Sequence, residues 1–150
     1  MAATSSESMF PFDSSSEKQT RALGKQFGLG LRVGAVVALI GDLGAGKTQF
    51  VKGIAEAFGF PPEDVSSPTF TIAHEYDGSN VLYHMDLYRI ASEAELHQAG
   101  IEEYLNAGGI CLIEWPQRAE HLLPPGTHFV RITHQSDGKR RIEYSRLNTV

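Results

Sequence analysis

Residues 41–48 read GDLGAGKT and fit G-x-x-x-x-G-K-[ST], a pattern whose chemistry is the grip of nucleotide phosphates. Gly41, Gly44 and Gly46 let the backbone turn tightly and approach phosphate oxygens with no Cβ in the way. The amides of Gly41, Asp42, Leu43, Gly44, Ala45 and Gly46, with those opening the next helix, would form an anion-binding concavity. Lys47 would place its ammonium between the β- and γ-phosphates, and Thr48 would give its hydroxyl to Mg²⁺. A glycine-rich turn with a chance lysine is the bland alternative. The full pattern between a strand and a helix argues against it.

A magnesium site needs an acid as well. In open α/β sheets ligands sit at the carboxyl ends of the strands. Glu114 directly follows the apolar run Ile110-Cys111-Leu112-Ile113 and is the candidate metal carboxylate; its alternative is a solvated strand-end glutamate. Asp86 is a second acid. A side-chain period of two over Val81–Leu87 puts Leu82, His84 and Asp86 on one face and Tyr83, Met85 and Leu87 on the other. Such an acid and histidine could position water or bind metal-bound water, or be a surface-facing polar pair on a hairpin. Thr69, in Ser66-Ser67-Pro68-Thr69-Phe70, could sense a γ-phosphate as switch threonines do. An ordinary Ser/Thr loop has the same composition.

These residues need elements to position them. Val36–Ile40 is a continuous apolar run of the kind buried on both faces of a sheet. Phe50, Ile54 and Phe58 recur at helical spacing over Thr48–Phe58, which Gly59 and Pro61-Pro62 stop. The glycine loop therefore joins a buried strand to a helix. Upstream, residues 1–13 read as a frayed lead-in with a short strand at Met9–Phe12. Ser14 and Glu17 have capping-box spacing, and Leu23, Phe27 and Leu31 mark a helix face that Gly34 ends. Downstream, residues 59–70 read as a loop. Thr71–Tyr76 and Val81–Leu87 alternate around Asp77-Gly78-Ser79-Asn80, a hairpin signature. Ser92 and Glu95 open a short helix broken by Gly100, and Ile101–Leu105 adds a further turn. Pro116 opens a helix ending near Leu123-Pro124-Pro125. Phe129–Thr133 and Ile142–Leu147 close the chain as two strands around Asp137-Gly138. The order fits one three-layer α/β domain over residues 1–150, a P-loop type with a mixed, mainly parallel sheet and a β-hairpin insertion.

A chain of 150 residues can bury about 68–70% of its unfolded surface and needs no disulfide staples. With 41% hydrophobic and 21% charged residues it has an ordinary globular composition. A net charge of −5 does not attract polyanions, so unaided tight nucleic-acid binding is not expected. Lys139-Arg140-Arg141 reads as a solvated turn entering the last strand. Cys111, the one cysteine, has no partner in the chain and reads as a buried, inert thiol in a reducing cytosol. The N-terminus lacks a signal-peptide pattern. Ala35–Ile40 is far short of the ~20 residues that span a bilayer. A cytoplasmic protein is expected.

GDLGAGKT, SPTF, the pair Glu75-Tyr76, HMDLYR and IEWP, in this order and spacing, resemble the TsaE (YjeE) family over roughly residues 14–145. The loop alone is generic; HMDLYR followed by IEWP is highly specific. The resemblance implies an ATPase required for threonylcarbamoyladenosine in tRNA. Its partners would be a carbamoyl-transferring TsaD-like subunit and its TsaB-like paralogue, with tRNA reached only through them. It implies ATP/ADP and Mg²⁺ as cofactors, Thr48 and Glu114 as magnesium ligands, and Lys47 with the loop amides as phosphate holders. Thr69 would lie in a switch segment, Asp86 would be a functional acid and Trp115 a residue needed for activity. Many members carry an acid after Trp-Pro where this chain has Gln117, which leaves a side-chain charge there without a role.

Two other readings use the same loop. A small-metabolite kinase would need an acceptor pocket and an arginine-bearing lid. Residues 115–126 are the only lid-like segment, and Arg118 is their one arginine. A GTP-dependent switch would carry an N-K-x-D stretch, which is absent. Arg89 is the only arginine within a recognised motif, and at a strand end it could be tied to Asp86 or to a helix.

Overall fold

The computed structural model describes residues 8–42, 46–61, 63, 65, 73–77 (by their backbone) and 81–147. The elements run β1 (Phe12–Ser14), α1 (Glu17–Leu29), β2 (Val36–Ile40), α2 (Lys47–Ala57), β3 (Ala73–Asp77), β4 (Val81–Asp86), α3 (Glu93–Gln98), α4 (Ile101–Leu105), β5 (Ile110–Glu114), a 3₁₀ segment (Pro116–Leu122), β6 (His128–His134) and β7 (Arg140–Arg146). Among the described residues they form one seven-stranded sheet in the order β1-β7-β6-β2-β5-β4-β3. The four central strands, β6, β2, β5 and β4, pair in parallel. The three outer pairings are antiparallel.

The sheet is parallel where both faces are covered. Val36, Val37, Ala38 and Leu39 of β2 and Ile110–Ile113 of β5 are all buried, as continuous apolar runs demand. One face packs Phe27 of α1 and Phe50, Val51 and Ile54 of α2 against Val37, Leu39 and Leu112. The other packs Leu96 of α3, Ile101 of α4 and Ala119 of the 3₁₀ segment against Val36, Ala38 and Ile113. The expected three-layer α/β arrangement is therefore what forms. Helices α1 and α2 touch through glycines. A methyl on Gly24 would overlap the Phe50 carbonyl, and one on Gly53 would overlap the Arg21 carbonyl. This approach seats α2, and with it Lys47, against the sheet.

Four local expectations are corrected. The first strand is Phe12–Ser14, not Met9–Phe12, because Phe12, Asp13 and Ser14 pair with Ile142, Arg141 and Arg140 of β7. That pairing takes Ser14 out of the cap. Ser14 is fully buried, its hydroxyl 2.7 Å from that of Thr20. The cap of α1 is instead Ser16, whose Oγ accepts from the Gln19 amide at 3.1 Å, while Gln19 Oε1 accepts from the Ser15 amide. The helix ends at Leu29 with Gly30 as its C-cap, four residues before Gly34. Ser92 and Glu95 do form the cap read from their spacing: Ser92 Oγ accepts from the Glu95 amide and Glu95 Oε1 from the Ala91 amide. The segment opened by Pro116 is 3₁₀ rather than α, with Ala119 out of helical conformation.

The hairpin of β3 and β4 forms in antiparallel register, Ala73 opposite Met85 and Asp77 opposite Val81. Its tip at 78–80 lies outside the described residues, as does most of the loop at 59–70, including Thr69. Cys111 is buried, donates to the Tyr104 carbonyl at 3.2 Å, and burial pushes its thiol up to about 12. Among the described residues, no helix is long and apolar enough to cross a membrane.

Candidate functional site

The residues singled out by their chemistry meet at the carboxyl end of the central strands. The chain leaves β2 through Gly41 and Asp42, and Gly46 is the N-cap of α2. Leu43, Gly44 and Ala45 lie outside the described residues. Gly46 has φ +107°, a conformation open to glycine and strained for other residues. This turn lets α2 start at Lys47 with its N-terminal amides and positive dipole end beside the strand ends.

Lys47 is buried, 5% exposed. Its Nζ donates to the Gly41 carbonyl at 2.6 Å, stands 3.9 Å from Glu114 Oε1 and lies 4.4 Å from the centroid of the Trp115 ring. Burial lowers its pKa; the charges of Glu114, Asp86 and Asp42 oppose that shift. The ammonium is thus surrounded by a carbonyl, a carboxylate and an aromatic face. All three are partners a cation accepts, and all lie next to the loop whose motif binds phosphate.

Glu114 ends β5, next to β2, with Leu39 as its register partner on one side and Asp86 on the other. It is not the solvated strand-end glutamate of the bland reading: it is 3% exposed. Its Oε2 accepts from His84 Nε2 at 2.6 Å. His84 is fully buried, so the surface-facing reading of the His84–Asp86 pair fails for the histidine. Asp86 sits half-buried at the same strand end, its Oδ1 accepting from the Tyr88 amide at 2.9 Å. Burial raises its pKa, the Tyr88 amide opposes the rise, and the charge of Glu114 adds to it. Two carboxylates thus stand at neighbouring strand ends, both acting on the charge of Lys47.

Trp115 follows Glu114 with φ 59° and ψ 53°, the left-handed region that a bulky residue enters only under strain of about 1–3 kcal/mol. It is the only non-glycine residue at positive φ among those described. The indole meets Lys47 and also packs against Tyr88, with 4.9 Å between ring centroids. Tyr88 is 47% exposed, so an aromatic pair links the lysine to the surface.

The structure thus brings Gly41, Gly46, Lys47, Thr48, Asp86, Glu114 and Trp115 to one end of the sheet. Thr69 and residues 43–45 fall outside what is described. Three further residues belong to the site that motif reading did not place in it. His84 was visible as a neighbour of Asp86 but not as a partner of Glu114, because nothing local sets the β4–β5 register. Tyr88 had no signal beyond its motif. Arg140, read as part of a solvated turn, approaches Gly46: its Nε lies 3.6 Å from where a Cβ on that glycine would be.

Among the described residues, no group of three or more His, Cys, Asp or Glu is placed to hold a metal ion. Magnesium keeps several waters and takes one or two protein oxygens plus phosphate oxygens. Glu114 Oε1 lies 3.9 Å from Lys47 Nζ, and Thr48 follows Lys47 in the first turn of α2. A carboxylate and a hydroxyl are oxygen donors of the kind this ion takes.

Residues 14–142 match the family model described as "TsaE: Threonylcarbamoyl adenosine biosynthesis protein TsaE". The chain is 43% identical over 129 residues to the tRNA threonylcarbamoyladenosine biosynthesis protein TsaE of Bacillus subtilis, covering 85% of this chain and 80% of that protein. It is 42% identical over 129 residues to the protein of that name from Treponema pallidum, covering 86% and 95%. Its fold is similar to the crystal structure of Bacillus subtilis YdiB, with a TM-score of 0.76 and 35% identity over 93% of this chain and 86% of that one. Matched over most of its length by the family model and by relatives 43% and 42% identical, this chain belongs to the TsaE family.

Proposed function

We propose that the chain is an ATP-binding and ATP-hydrolysing subunit that supports threonylcarbamoyl transfer to adenosine in tRNA, working with TsaD-like and TsaB-like partners. The observation that carries this reading is the placement of Lys47. It is the buried first residue of α2, 3.9 Å from the carboxylate that ends the neighbouring parallel strand. Family membership and the names of the relatives supply the pathway.

In this reading Lys47 and the amides of residues 41–48 hold the phosphates of ATP or ADP. Thr48 and Glu114 hold Mg²⁺, which when bound neutralises phosphate charge. Asp86 orients the attacking water, and Trp115 sets the position of Lys47. Thr69 belongs to the segment that responds to the γ-phosphate. A net charge of −5 leaves tRNA binding to the partners, and in this reading the chain works as a cytoplasmic ATPase.

The test is formation of threonylcarbamoyladenosine by a TsaD–TsaB pair through repeated cycles, with and without this chain. Added chain should sustain the modification beyond one cycle, and Lys47→Ala should abolish the gain. Equal product with wild type and Lys47→Ala would refute the reading. Transfer of phosphate to a small metabolite would establish a kinase instead.

A further inference from the structure

We propose that His84 is a positioning residue for Glu114: it fixes one carboxylate oxygen so that the other faces the loop and the cation that Thr48 would share. The inference rests on the magnesium reading above and assigns to it a residue outside the metal's own ligands.

The two oxygens of Glu114 have separate surroundings. Oε2 takes the His84 Nε2–H at 2.6 Å, and Oε1 lies 3.9 Å from Lys47 Nζ. A short hydrogen bond to an ionised acceptor is about twice as strong as a neutral one. This one is made where both partners are almost free of solvent, His84 fully buried and Glu114 3% exposed. A glutamate at a strand end has rotatable bonds to spare. His84 removes that freedom from a rigid base, because β4 is paired on both sides, with β3 and with β5.

Asp86 does not do this work. It is the register partner of Glu114 and carries the same charge, so it repels the carboxylate rather than holding it. Its Oδ1 is engaged by the Tyr88 amide. The ordinary alternative is a core histidine kept for packing. The imidazole is a poor choice for that, because Nδ1 is buried with no partner among the described residues. An unmet buried polar atom costs about 1–3 kcal/mol, which a leucine of similar size would avoid. The polar gain of the ring lies in its bond to Glu114.

Groups that orient a ligating side chain change metal affinity by about 10–100-fold when removed. The experiment is calorimetric ADP binding, with Mg²⁺ and with EDTA, to wild type, His84→Leu and His84→Gln. In EDTA all three should bind alike. The affinity gained on adding Mg²⁺ should fall about 10–100-fold in His84→Leu. It should return at least in part in His84→Gln, whose amide can place an N–H where Nε2 stands. A full magnesium gain in His84→Leu, or an equal loss with and without the metal, would overturn the proposal in favour of packing. If His84→Leu does not fold, the same split is expected between His84→Gln and His84→Asn, whose shorter amide does not reach Glu114, and its absence is equally contrary. A wild-type chain with no magnesium gain would instead bring down the metal reading itself.

Discussion

The ammonium of Lys47 lies 4.4 Å from the centroid of the Trp115 ring, at the ends of elements brought together by the parallel pairing of β2 and β5. Phosphate would compete with that ring for the lysine's charge. Trp115 is the only tryptophan, so its fluorescence reports the site alone. Mg-ATP should change its emission saturably, and Lys47→Met should show neither the change nor the binding. Binding seen by calorimetry without a change in emission would mean that Lys47 stays on the indole.

Thr48 and Glu114 are expected to share one ion. Thr48→Ala and Glu114→Ala should each weaken magnesium-dependent thermal stabilisation by ATP, and the double variant should lose less than the sum of the two, as residues acting through one partner do. Unchanged magnesium dependence in Glu114→Ala would move the ligand role to Asp86.

Asp86 is expected to act in the transition state. Asp86→Asn should bind ATP nearly as wild type and hydrolyse it poorly. Measured affinity and turnover separate this from a binding or folding role, in which affinity would fall with turnover intact.

His128 provides a pH test away from the site. It is buried against Phe27, with ring centroids 5.7 Å apart, and its Nδ1 lies 2.8 Å from the Tyr144 hydroxyl. Burial, aided by the charge of Arg146, lowers its pKa from 6.5 to about 4. Between these values the unfolded chain takes up a proton that the folded chain refuses, so stability falls as pH drops. From pH 7 to 5, denaturant unfolding should show wild type losing about 2 kcal/mol more than His128→Gln, at about 1.4 kcal/mol per unit below 6.5. Equal losses would show that His128 is protonated in the fold.

Much of this arrangement was legible because its signals are local. The strand–loop–helix around Lys47, the apolar strand ending in Glu114 and the hairpin before Asp86 each lie within a short window of sequence. What was not legible depends on pairing between distant segments. Three consecutive serines offer three caps for α1; the β1–β7 pairing, with Ser14 opposite Arg140, takes Ser14 out of the choice, and Ser16 is the cap. The bond between His84 and Glu114 follows from a β4–β5 register that nothing near either residue encodes. The left-handed backbone at Trp115 has no local cause in a tryptophan; the stacking on Lys47 and Tyr88 accompanies it.

The most direct measurement is steady-state ATP turnover by the purified chain, alone and with a TsaD–TsaB pair. Phosphoryl transfer needs positive charge on the developing equatorial oxygens, and an arginine supplied by a partner is worth roughly 10³–10⁵ in rate. Here Lys47 stands 3.9 Å from Glu114 and under the charge of Asp86, and Arg140 approaches Gly46 from β7, a strand on the other side of β2 from β5 and β4. The expected result is slow turnover alone and a large rise with the partners, lost in Lys47→Ala. Turnover by the chain alone at the ~10 s⁻¹ median of ordinary enzymes, unchanged by the partners, would contradict the account.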